Sequence, residues 1–334
     1  MKNTTTIEIS LKSVFLIIIT LLLLLVAWKI RGVLIGLFMA FILMSGFAPL
    51  IDWLVKRGFS RIFAIAVTYF LAISFFAALL FFVIPPLLQQ TRAFISSLPA
   101  YVDWFHYTTG ENIIPGFSND NIAGLISSRL DGAIANILKV ALNAFSVFIT
   151  FITVSVFSFY LLLERDTIKR NLHVVFPSLP KERVNKLAQK IEEKLGAWVR
   201  GELLLMLIIG LTTYVGLSIL RVEFALPLAV IAGLLEIVPI IGPIVSAIPA
   251  LIIAFVQSPI LAVGVVALYI LIQQLENNLI VPKLMEKAVG LSPLVIIFAL
   301  TVGGALFGLL GALVAVPIAA IGHVIIEDFQ GASK

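Results

Sequence analysis

Seven long stretches of this chain contain no charged residue, and polar segments separate them along its 334 positions. A helix needs about 20 mostly apolar residues to cross the hydrocarbon of a bilayer. The first five stretches therefore predict single membrane-spanning helices, whereas the last two are too long for one helix each. The seven windows cover residues 13–28, 32–51, 62–91, 140–163, 203–220, 237–275 and 288–326.

The composition agrees with a bilayer rather than water as the solvent. Hydrophobic residues make up 61% of the chain and charged residues 12%, whereas a soluble domain is about 45–50% apolar and about 25% charged. No small-residue cleavage site follows the N-terminal apolar run, so it is interpreted as the first span and not as a signal peptide. The sequence thus predicts an all-α integral membrane protein with about eight membrane segments.

The basic residues indicate how the chain is oriented. Lysine and arginine are enriched in short loops that remain in the cytoplasm. If the N-terminus is cytoplasmic and the spans alternate, Lys56, Arg57 and Arg61 lie inside, together with the basic residues of 165–200. We therefore expect a multi-pass protein of the bacterial inner membrane with a cytoplasmic N-terminus. The formal charge of +5 is assigned to topology and not to nucleic-acid binding.

Five regions follow from these windows. Pro85 and Pro86 are expected to end the third span, because proline removes a helix donor and clashes with the preceding turn. Apolar residues at steps of three and four predict an amphipathic helix in the internal segment, which either packs against its own bundle or contacts headgroups or a regulatory partner. The regions are an N-terminal three-span region at 1–88, an extracytoplasmic helical insert at 89–139, a fourth span at 140–163, a cytoplasmic amphipathic helical segment at 164–202 and a C-terminal transport region at 203–334.

Helix breakers interrupt both long C-terminal windows. Each half has about 13–15 residues and a length of about 20–22 Å, which is less than the roughly 30 Å of the hydrocarbon core. Segments 224–256 and 292–324 are therefore either kinked, overlong helices or re-entrant hairpins that enter from opposite faces. Glycines also serve close helix packing, which is the alternative reading of the second segment. The breakers are Pro239, Gly242 and Pro243 in the first segment and Gly303, Gly304, Gly308 and Gly311 in the second.

Glu236, in segment 224–256, is the residue whose insertion into a membrane costs the most free energy. A carboxylate at the centre of a membrane helix costs roughly 2.5–3.5 kcal/mol on insertion scales. Beside the break at Pro239 it either binds a cation or carries a proton, which are transport roles, or it caps backbone amides that the break leaves free. Arg200 and Glu202, which precede the fifth span, are interpreted as interfacial anchors.

A second polar cluster stands near the end of the span at 259–281. Gln273, Glu276 and Asn277 share one helical face by their spacing of three and four. The cluster either offers hydrogen bonds to a small hydroxylated molecule or reaches lipid headgroups at the helix end. Its members are Gln273, Gln274, Glu276, Asn277 and Asn278.

The sequence lacks the signatures of enzymes and of metal or nucleotide sites. No P-loop, G-x-G-x-x-G, G-x-S-x-G or H-E-x-x-H motif occurs, and the chain has no cysteine. His106, His173 and His323 are isolated from one another. We therefore expect no catalysis, no cofactor and no metal site, and any transport is down a gradient or coupled to an ion.

Five motifs follow one another in the C-terminal half, and in order and spacing they resemble the autoinducer-2 exporter family of bacterial membrane proteins. The N-terminal half matches that family in pattern, with a two-span hairpin, a third span, a long external insert and a charged internal helix. Ser292 departs from the pattern, which has a histidine or a similarly polar residue before Pro293. The motifs are Glu236-Ile-Val-Pro-Ile-Ile-Gly-Pro243, Gln273-Gln-Leu-Glu-Asn-Asn278 with Pro282, Leu291-Ser-Pro293, Gly303-Gly-Ala-Leu-Phe-Gly308 and Gly311-x-x-x-Ala-Val-Pro317.

The resemblance implies a secondary-type transporter or exporter of a small polar molecule such as autoinducer-2. A sodium or lithium/proton antiporter is the alternative, and a non-transporting membrane scaffold is a further one. The expected partners are the lipid bilayer, a small polar solute, sodium or protons, and further copies of the chain in a pentamer. By position, the resemblance implies a first hairpin tip at Glu236, Pro239, Gly242 and Pro243, a path lined by Gln273, Gln274, Glu276, Asn277 and Asn278, and a second tip at Gly303, Gly304 and Gly308.

Overall fold

A computed structural model describes residues 11–109, 143, 145–177, 179–239, 241–288 and 290–331. Within those ranges every regular element is a helix, and six helices are long and apolar enough to cross a membrane, which confirms the all-α membrane prediction. A π-helical turn (Glu276–Ile280) joins α9 to α10. The helices are α1 (Leu11–Lys29), α2 (Arg31–Lys56), α3 (Arg61–Thr109), α4 (Phe145–Leu163), α5 (Arg165–Val175), α6 (Lys181–Ile219), α7 (Ala225–Leu235), α8 (Ile241–Gln257), α9 (Pro259–Leu275), α10 (Val281–Ala288) and α11 (Pro293–Gly331).

The first two helices do not form the expected two-span hairpin. Helical hydrogen bonds cross their junction, from the Ile30 N–H to the Val26 carbonyl and from the Leu34 N–H to the Ile30 carbonyl. Ile30 has φ −96° and ψ 11°, a conformation that bends a helix without reversing it. The side chains of α1 are largely exposed. The helix α1 therefore leads into α2 through a bend, and most of its side chains lie outside the packing of the other helices.

The helices α3 and α4 pack against each other in antiparallel directions. The Tyr69 hydroxyl on α3 hydrogen-bonds with Ser158 on α4. The rings of Phe76 and Phe151 lie 4.5 Å apart between their centroids, about two turns further along α3 and two turns back along α4. Aromatic pairs at this separation contribute beyond the area they bury.

The third candidate span ends at Pro85 as predicted, but the expected end of the helix there is wrong. The apolar part of the helix, Arg61–Pro85, stops there, but the helix itself continues to Thr109. Each proline removes a single backbone donor, and the hydrogen bonds on either side maintain the helix. The predicted external insert at 89–139 is thus helical in its first part, and its residues from 110 onward lie outside the described residues.

The helix α6 unites two regions that the sequence separates. It begins directly after Pro180, as the amphipathic pattern predicts, but it continues past residue 202 through the fifth span and ends at Ile219. The buried residues Val184, Leu195 and Trp198 lie on the predicted apolar face. This face packs against the bundle of the same chain, which favours the first of the two interpretations of the internal segment.

Close packing fixes α6 against α2. A Cβ placed on Gly46 would lie 2.5 Å from a methyl group of Val199, and one on Gly196 would lie 2.5 Å from the Ser45 carbonyl oxygen. Only glycine permits the two backbones to approach this closely.

Segment 224–256 folds as a helical hairpin and not as one kinked helix. The short helices α7 and α8 are joined by a turn at 236–239, and Phe224 with φ 60° precedes α7. The 11 residues of α7 give a length of about 16 Å at 1.5 Å per residue, which is too short to cross the hydrocarbon. The helix α7 therefore turns back beside α6. We call α7, the turn at 236–239 and α8 the first hairpin.

The helix α11 is a second hairpin, folded at Gly308. This residue has φ 61° and ψ −142°, far from helical values. A Cβ on Gly303 would lie 2.5 Å from the Gly311 carbonyl oxygen, although residues eight positions apart are separated by about 12 Å along a straight helix. The arms at 293–307 and 309–331 must therefore lie side by side.

The two hairpins meet in one buried cluster. Val238 in the turn of the first hairpin belongs to the same apolar cluster as Leu300 and Val316 of the second. At the far end of the second arm, Asp328 accepts a hydrogen bond from Arg183 on α6 at 2.8 Å. We call the end of the bundle that carries Lys56, Arg165 and Arg183 the basic end.

Candidate functional site

The turn of the first hairpin places Glu236 in the interior of the protein. Its side chain is 0% exposed, and neither carboxylate oxygen has a hydrogen-bond partner among the described residues. A buried polar group without a partner is costly, and such groups are rare in native proteins. The described backbone amides beside the break therefore do not use Glu236 as a cap.

Two further carboxylates accompany Glu236. Glu202 on α6 and Glu276 at the start of the π turn are each 4% exposed. All three carboxylates lie close enough together to interact electrostatically. Glu236 and Glu276 are also within reach of a hydrogen bond that either side chain can donate once it carries a proton. We call Glu202, Glu236 and Glu276 the carboxylate cluster.

Close packing of α6 on α7 brings the cluster together. A Cβ on Gly233 would lie 2.7 Å from the Met206 carbonyl oxygen, and one on Gly210 would lie 3.4 Å from the Ala229 carbonyl oxygen. Small residues at such contacts allow two backbones to approach. Because the helices are antiparallel, the turn that follows α7 lies beside the part of α6 that carries Glu202.

The π turn directs Glu276 into the cluster. Before this turn, Ile272 of α9 packs against Leu205 and Ile209 of α6. The Gln273 amide nitrogen Nε2 donates a hydrogen bond to Glu276 Oε2 at 3.2 Å. Single π turns within α-helices occur frequently at functional sites. Gln273 is therefore the amide of the second polar cluster that reaches the carboxylates.

The other three polar residues of that segment lie elsewhere. Gln274, Asn277 and Asn278 are exposed. The Asn278 amide nitrogen donates to the Gln274 side-chain oxygen at 3.0 Å and to its carbonyl oxygen at 2.9 Å. The structure thus brings Gln273 and Glu276 to Glu236 and separates them from these three. The shared face predicted for Gln273, Glu276 and Asn277 is divided because the π turn changes the helical register after Glu276.

The breakers of the first hairpin lie at or beside its turn. Pro239 is half-buried near the end of the turn. Gly242 is buried against the Leu235 carbonyl oxygen, where no Cβ would fit. The Pro243 carbonyl oxygen accepts a hydrogen bond from the Ser246 hydroxyl at 3.0 Å.

The three predicted glycines of the second hairpin have different surroundings. Gly308 makes the turn, and Gly303 faces Gly311 of the opposite arm. No described atom lies within 4 Å of a Cβ placed on Gly304. Close packing in this hairpin is thus carried by Gly303 and Gly311 and not by the Gly304-x-x-x-Gly308 spacing.

The tip of the second hairpin contacts the bend between α1 and α2. The ring of Phe307 lies 6.4 Å from that of Trp28 between centroids. The Arg31 guanidinium lies 4.3 Å from the Trp28 ring and 5.9 Å from the Phe307 ring. Cation–π contacts of this length are attractive, so they hold the tip against the bend.

No positive side chain compensates the carboxylate cluster among the described residues. The ion pairs found there involve Asp52, Asp166, Glu192, Glu327 and Asp328, and none involves the cluster. In the same ranges, no three His, Cys, Asp or Glu side chains are arranged to hold a metal ion. The cluster is therefore a buried acidic site without a preformed chelate, and its three carboxylates need a proton or a cation if they are to remain buried together.

The interpretation of Glu202 as an interfacial anchor is wrong, since its side chain is buried beside Glu236 and Glu276. The sequence contains a signal that identifies it. Glu202 precedes the buried residues Leu205 and Ile209 by three and seven positions, so that it shares their helical face.

A charged network at the basic end is also missed by sequence reasoning. Arg165 donates to Asp52 of α2 at 3.0 Å and to Glu192 of α6, and Lys169 lies 2.7 Å from the other oxygen of Glu192. Burial lowers the pKa of Arg165, but Glu192 and Asp52 outweigh this effect and raise the pKa above its ordinary value. Arg165 therefore links the start of α5 to two other helices.

Asp166 makes a separate contact beside this network. It accepts a hydrogen bond from Arg61 of α3 at 2.5 Å, which holds the pKa of Asp166 below its ordinary value. The adjacent residues Arg165 and Asp166 thus fasten α5 to α2, α3 and α6.

The sequence of this chain is similar to those of known membrane transport proteins. The sequence pattern described as AI-2E family transporter matches residues 17–331. YrrI of Bacillus subtilis strain 168 is 25% identical over 307 residues, which cover 88% of this chain and 85% of YrrI. YueF of the same organism is 26% identical over 292 residues, with 82% and 78% covered. YhhT of Escherichia coli K12 is 33% identical over 132 residues, 39% of this chain and 38% of YhhT. All three carry provisional names as transport proteins.

Proposed function

This chain belongs to the AI-2E transporter family, and we propose that it is a secondary transporter of the bacterial inner membrane that exports a small polar molecule. In this proposal, the carboxylate cluster couples the export to a cation or a proton. The observation that carries the proposal is the burial of Glu236 with both oxygens unpartnered among the described residues. Ionisable groups at such depth are expensive and mark ion or substrate pathways.

The cluster joins three separate elements of the fold. Glu202 belongs to the long helix α6, Glu236 to the turn of the first hairpin, and Glu276 to the π turn. A proton or a sodium ion bound among the three carboxylates offsets their mutual repulsion and stabilises the arrangement in which they lie close together. When the ion leaves, repulsion favours a displacement of the hairpin turn away from α6. Binding of one ion is thereby coupled to one motion, as alternating access requires.

The proposed solute is a small hydroxylated molecule. Gln273 is half-buried and donates to Glu276, so that its amide oxygen stays available as an acceptor beside the cluster. An amide oxygen and a carboxylate side by side accept hydrogen bonds from the hydroxyl groups of a polyol.

Sodium or lithium/proton antiport is a second candidate, and the chemistry of the cluster favours it. Its three charged members are all acidic, and no cationic side chain pairs with them among the described residues. Such a site exchanges monovalent cations for protons without an organic solute. A non-transporting scaffold remains the third candidate and has no use for unpartnered buried carboxylates.

The discriminating experiment uses the full chain in sealed vesicles loaded with a pH-sensitive dye. Wild type, Glu236→Gln, Glu276→Gln and the control Glu182→Gln are compared, since Glu182 is an exposed carboxylate on α6. Export coupling predicts autoinducer-2 flux that a cation or pH gradient drives and that both cluster variants lose. Antiport predicts a change of lumenal pH on adding sodium or lithium without solute flux.

Flux that survives in both cluster variants would disprove the site assignment. Absence of every flux in the wild type would favour the scaffold.

The orientation of the chain in the membrane and its assembly with further copies are two more properties that we propose. We propose that the basic end faces the cytoplasm, because lysine and arginine collect there, and that the chain forms a homo-oligomer, a pentamer by analogy with its family. The cytoplasmic N-terminus stays a prediction. The bend at Ile30, which does not reverse the helix, places Leu11 and Lys56 at opposite ends of one bent helix, and this arrangement opposes that prediction. Protease access to an N-terminal tag in inverted vesicles tests it.

A further inference from the structure

A polar cavity of about 380 Å³ opens between α2, α5 and α6 at the basic end. Pockets of this volume accommodate small ligands or the polar part of larger ones. It lies apart from the carboxylate cluster, which does not line it. The lining residues are Ser45, Ala48, Pro49, Asp52, Trp53, Lys56, Arg165, Glu192, Glu193 and Arg200.

Most of the carboxylates around this cavity already have cationic or amide partners. Asp52 and Glu192 are both bound by Arg165, and Lys169 adds a second positive charge at Glu192. Glu193 accepts a hydrogen bond from the Gln189 amide at 2.8 Å. The acidic lining is therefore largely satisfied within the protein.

The cationic lining is not satisfied to the same degree. Lys56 and Arg200 line the cavity without an ion pair to any described residue. An ammonium and a guanidinium thus stand around one space without ion-pair partners, and both favour an oxygen-rich anion.

We propose that this cavity binds a phosphate-type oxyanion, held by Lys56 from α2 and by Arg200 from α6. Basic pockets between membrane helices on the cytoplasmic side are suited to anionic headgroups. Trp53 is 47% exposed at the same site, and the Arg57 guanidinium stacks on it at 4.0 Å. Tryptophan is enriched at the membrane–water interface, so the phosphate of a lipid headgroup and a free phosphate in the cytoplasm can both reach the cavity.

The test measures the thermal unfolding midpoint of the full chain in two arms. In the first, lipid-free detergent micelles receive inorganic phosphate, with sodium chloride at equal ionic strength as the reference. In the second, the protein is placed in nanodiscs of phosphatidylcholine with or without phosphatidylglycerol. Both arms compare wild type with K56Q/R200Q and with the control K186Q/K190Q. The control removes two exposed charges of α6 away from the cavity.

A phosphate-dependent rise of the midpoint in micelles, weakened about tenfold or more in apparent affinity by K56Q/R200Q but not by K186Q/K190Q, identifies a free oxyanion site. A rise seen only with phosphatidylglycerol, and lost in the same variant, identifies a lipid headgroup. The proposal is overturned if wild type responds in neither arm, or if K56Q/R200Q and K186Q/K190Q respond alike. Neither result depends on flux, so this inference stands or falls separately from the proposed transport.

Discussion

Gly303 on one arm of the second hairpin faces the carbonyl oxygen of Gly311 on the other arm. A Cβ at Gly303 would lie 2.5 Å from that oxygen and 3.0 Å from the Cβ of Ala315. Both distances are shorter than ordinary contacts, and the first one involves backbone that cannot rotate away. The close approach of the two arms thus depends on the absence of a side chain at Gly303.

We expect Gly303→Ala to lower stability by about 1–3 kcal/mol, because the added methyl group forces the arms apart. The thermal unfolding midpoint of the purified chain in detergent measures this loss. Gly304→Ala is the matched control, since a Cβ on Gly304 meets no described atom within 4 Å. Equal loss in the two variants would contradict the side-by-side arms.

Gly308→Ala should destabilise the turn of the second hairpin through backbone strain. Gly308 has φ 61° and ψ −142°, and a side chain at such angles costs about 1–3 kcal/mol. The helical Gly322 is the control, because a Cβ placed on it meets no described atom within 4 Å. Gly322→Ala should therefore be neutral or stabilising. Unfolding midpoints of the two variants decide the matter. An unchanged midpoint for Gly308→Ala would mean that the arms are joined in another way.

Glu202→Gln should separate stability from function. Removing one of three buried negative charges relieves repulsion, so the free energy of unfolding should rise or stay within about 0.5 kcal/mol of wild type. Cation-coupled flux in vesicles should fall to the level of empty vesicles. Glu182→Gln on the same helix should change neither quantity. Loss of folding in Glu202→Gln would instead assign this carboxylate a structural role.

We expect Arg165→Gln to lower the stability of the protein by weakening the contacts among α2, α5 and α6 at the basic end. It leaves Asp52 unpaired and Glu192 with Lys169 alone, and loss of hydrogen bonds to charged groups costs about 1.5–3 kcal/mol each. Arg170→Gln removes an exposed arginine of α5 whose side chain hydrogen-bonds only to Thr167, at 3.4 Å, among the described residues, and it should be neutral. The unfolding midpoint is the measurement. Similar midpoints for the two variants would show that Arg165 does not fasten these helices.

The membrane character of the chain follows from the sequence because length and hydrophobicity set it. Helix breakers likewise predict that segments 224–256 and 292–324 are interrupted, and the structure decides between the alternatives through α7 and Gly308. The bend at Ile30 is different. Whether the three-residue interruption Lys29-Ile30-Arg31 reverses a helix or only bends it depends on tertiary packing, which local pattern does not contain.

The candidate site is recovered in part. Glu236 is conspicuous in the sequence because it is charged within the otherwise apolar segment 224–256, whereas its proximity to Glu276, which Gln273 contacts, is visible only in the structure. Glu202 stands at a window edge, where a carboxylate in water and a buried one have the same sequence pattern. Its burial depends on the contact between Gly210 and Gly233, a long-range relation that spacing along one helix does not reveal.

The π turn at Glu276–Ile280 has a consequence for how this segment tolerates change. Ile272, Glu276 and Ile280 recur every four residues, and four residues of α-helix overshoot a full rotation by about 40°. A π turn rotates less per residue, so it reverses that overshoot, and all three side chains project toward α6. Inserting a further residue here would rotate everything beyond it by about 100° around the axis. This stretch can therefore vary in amino-acid identity far more readily than in length.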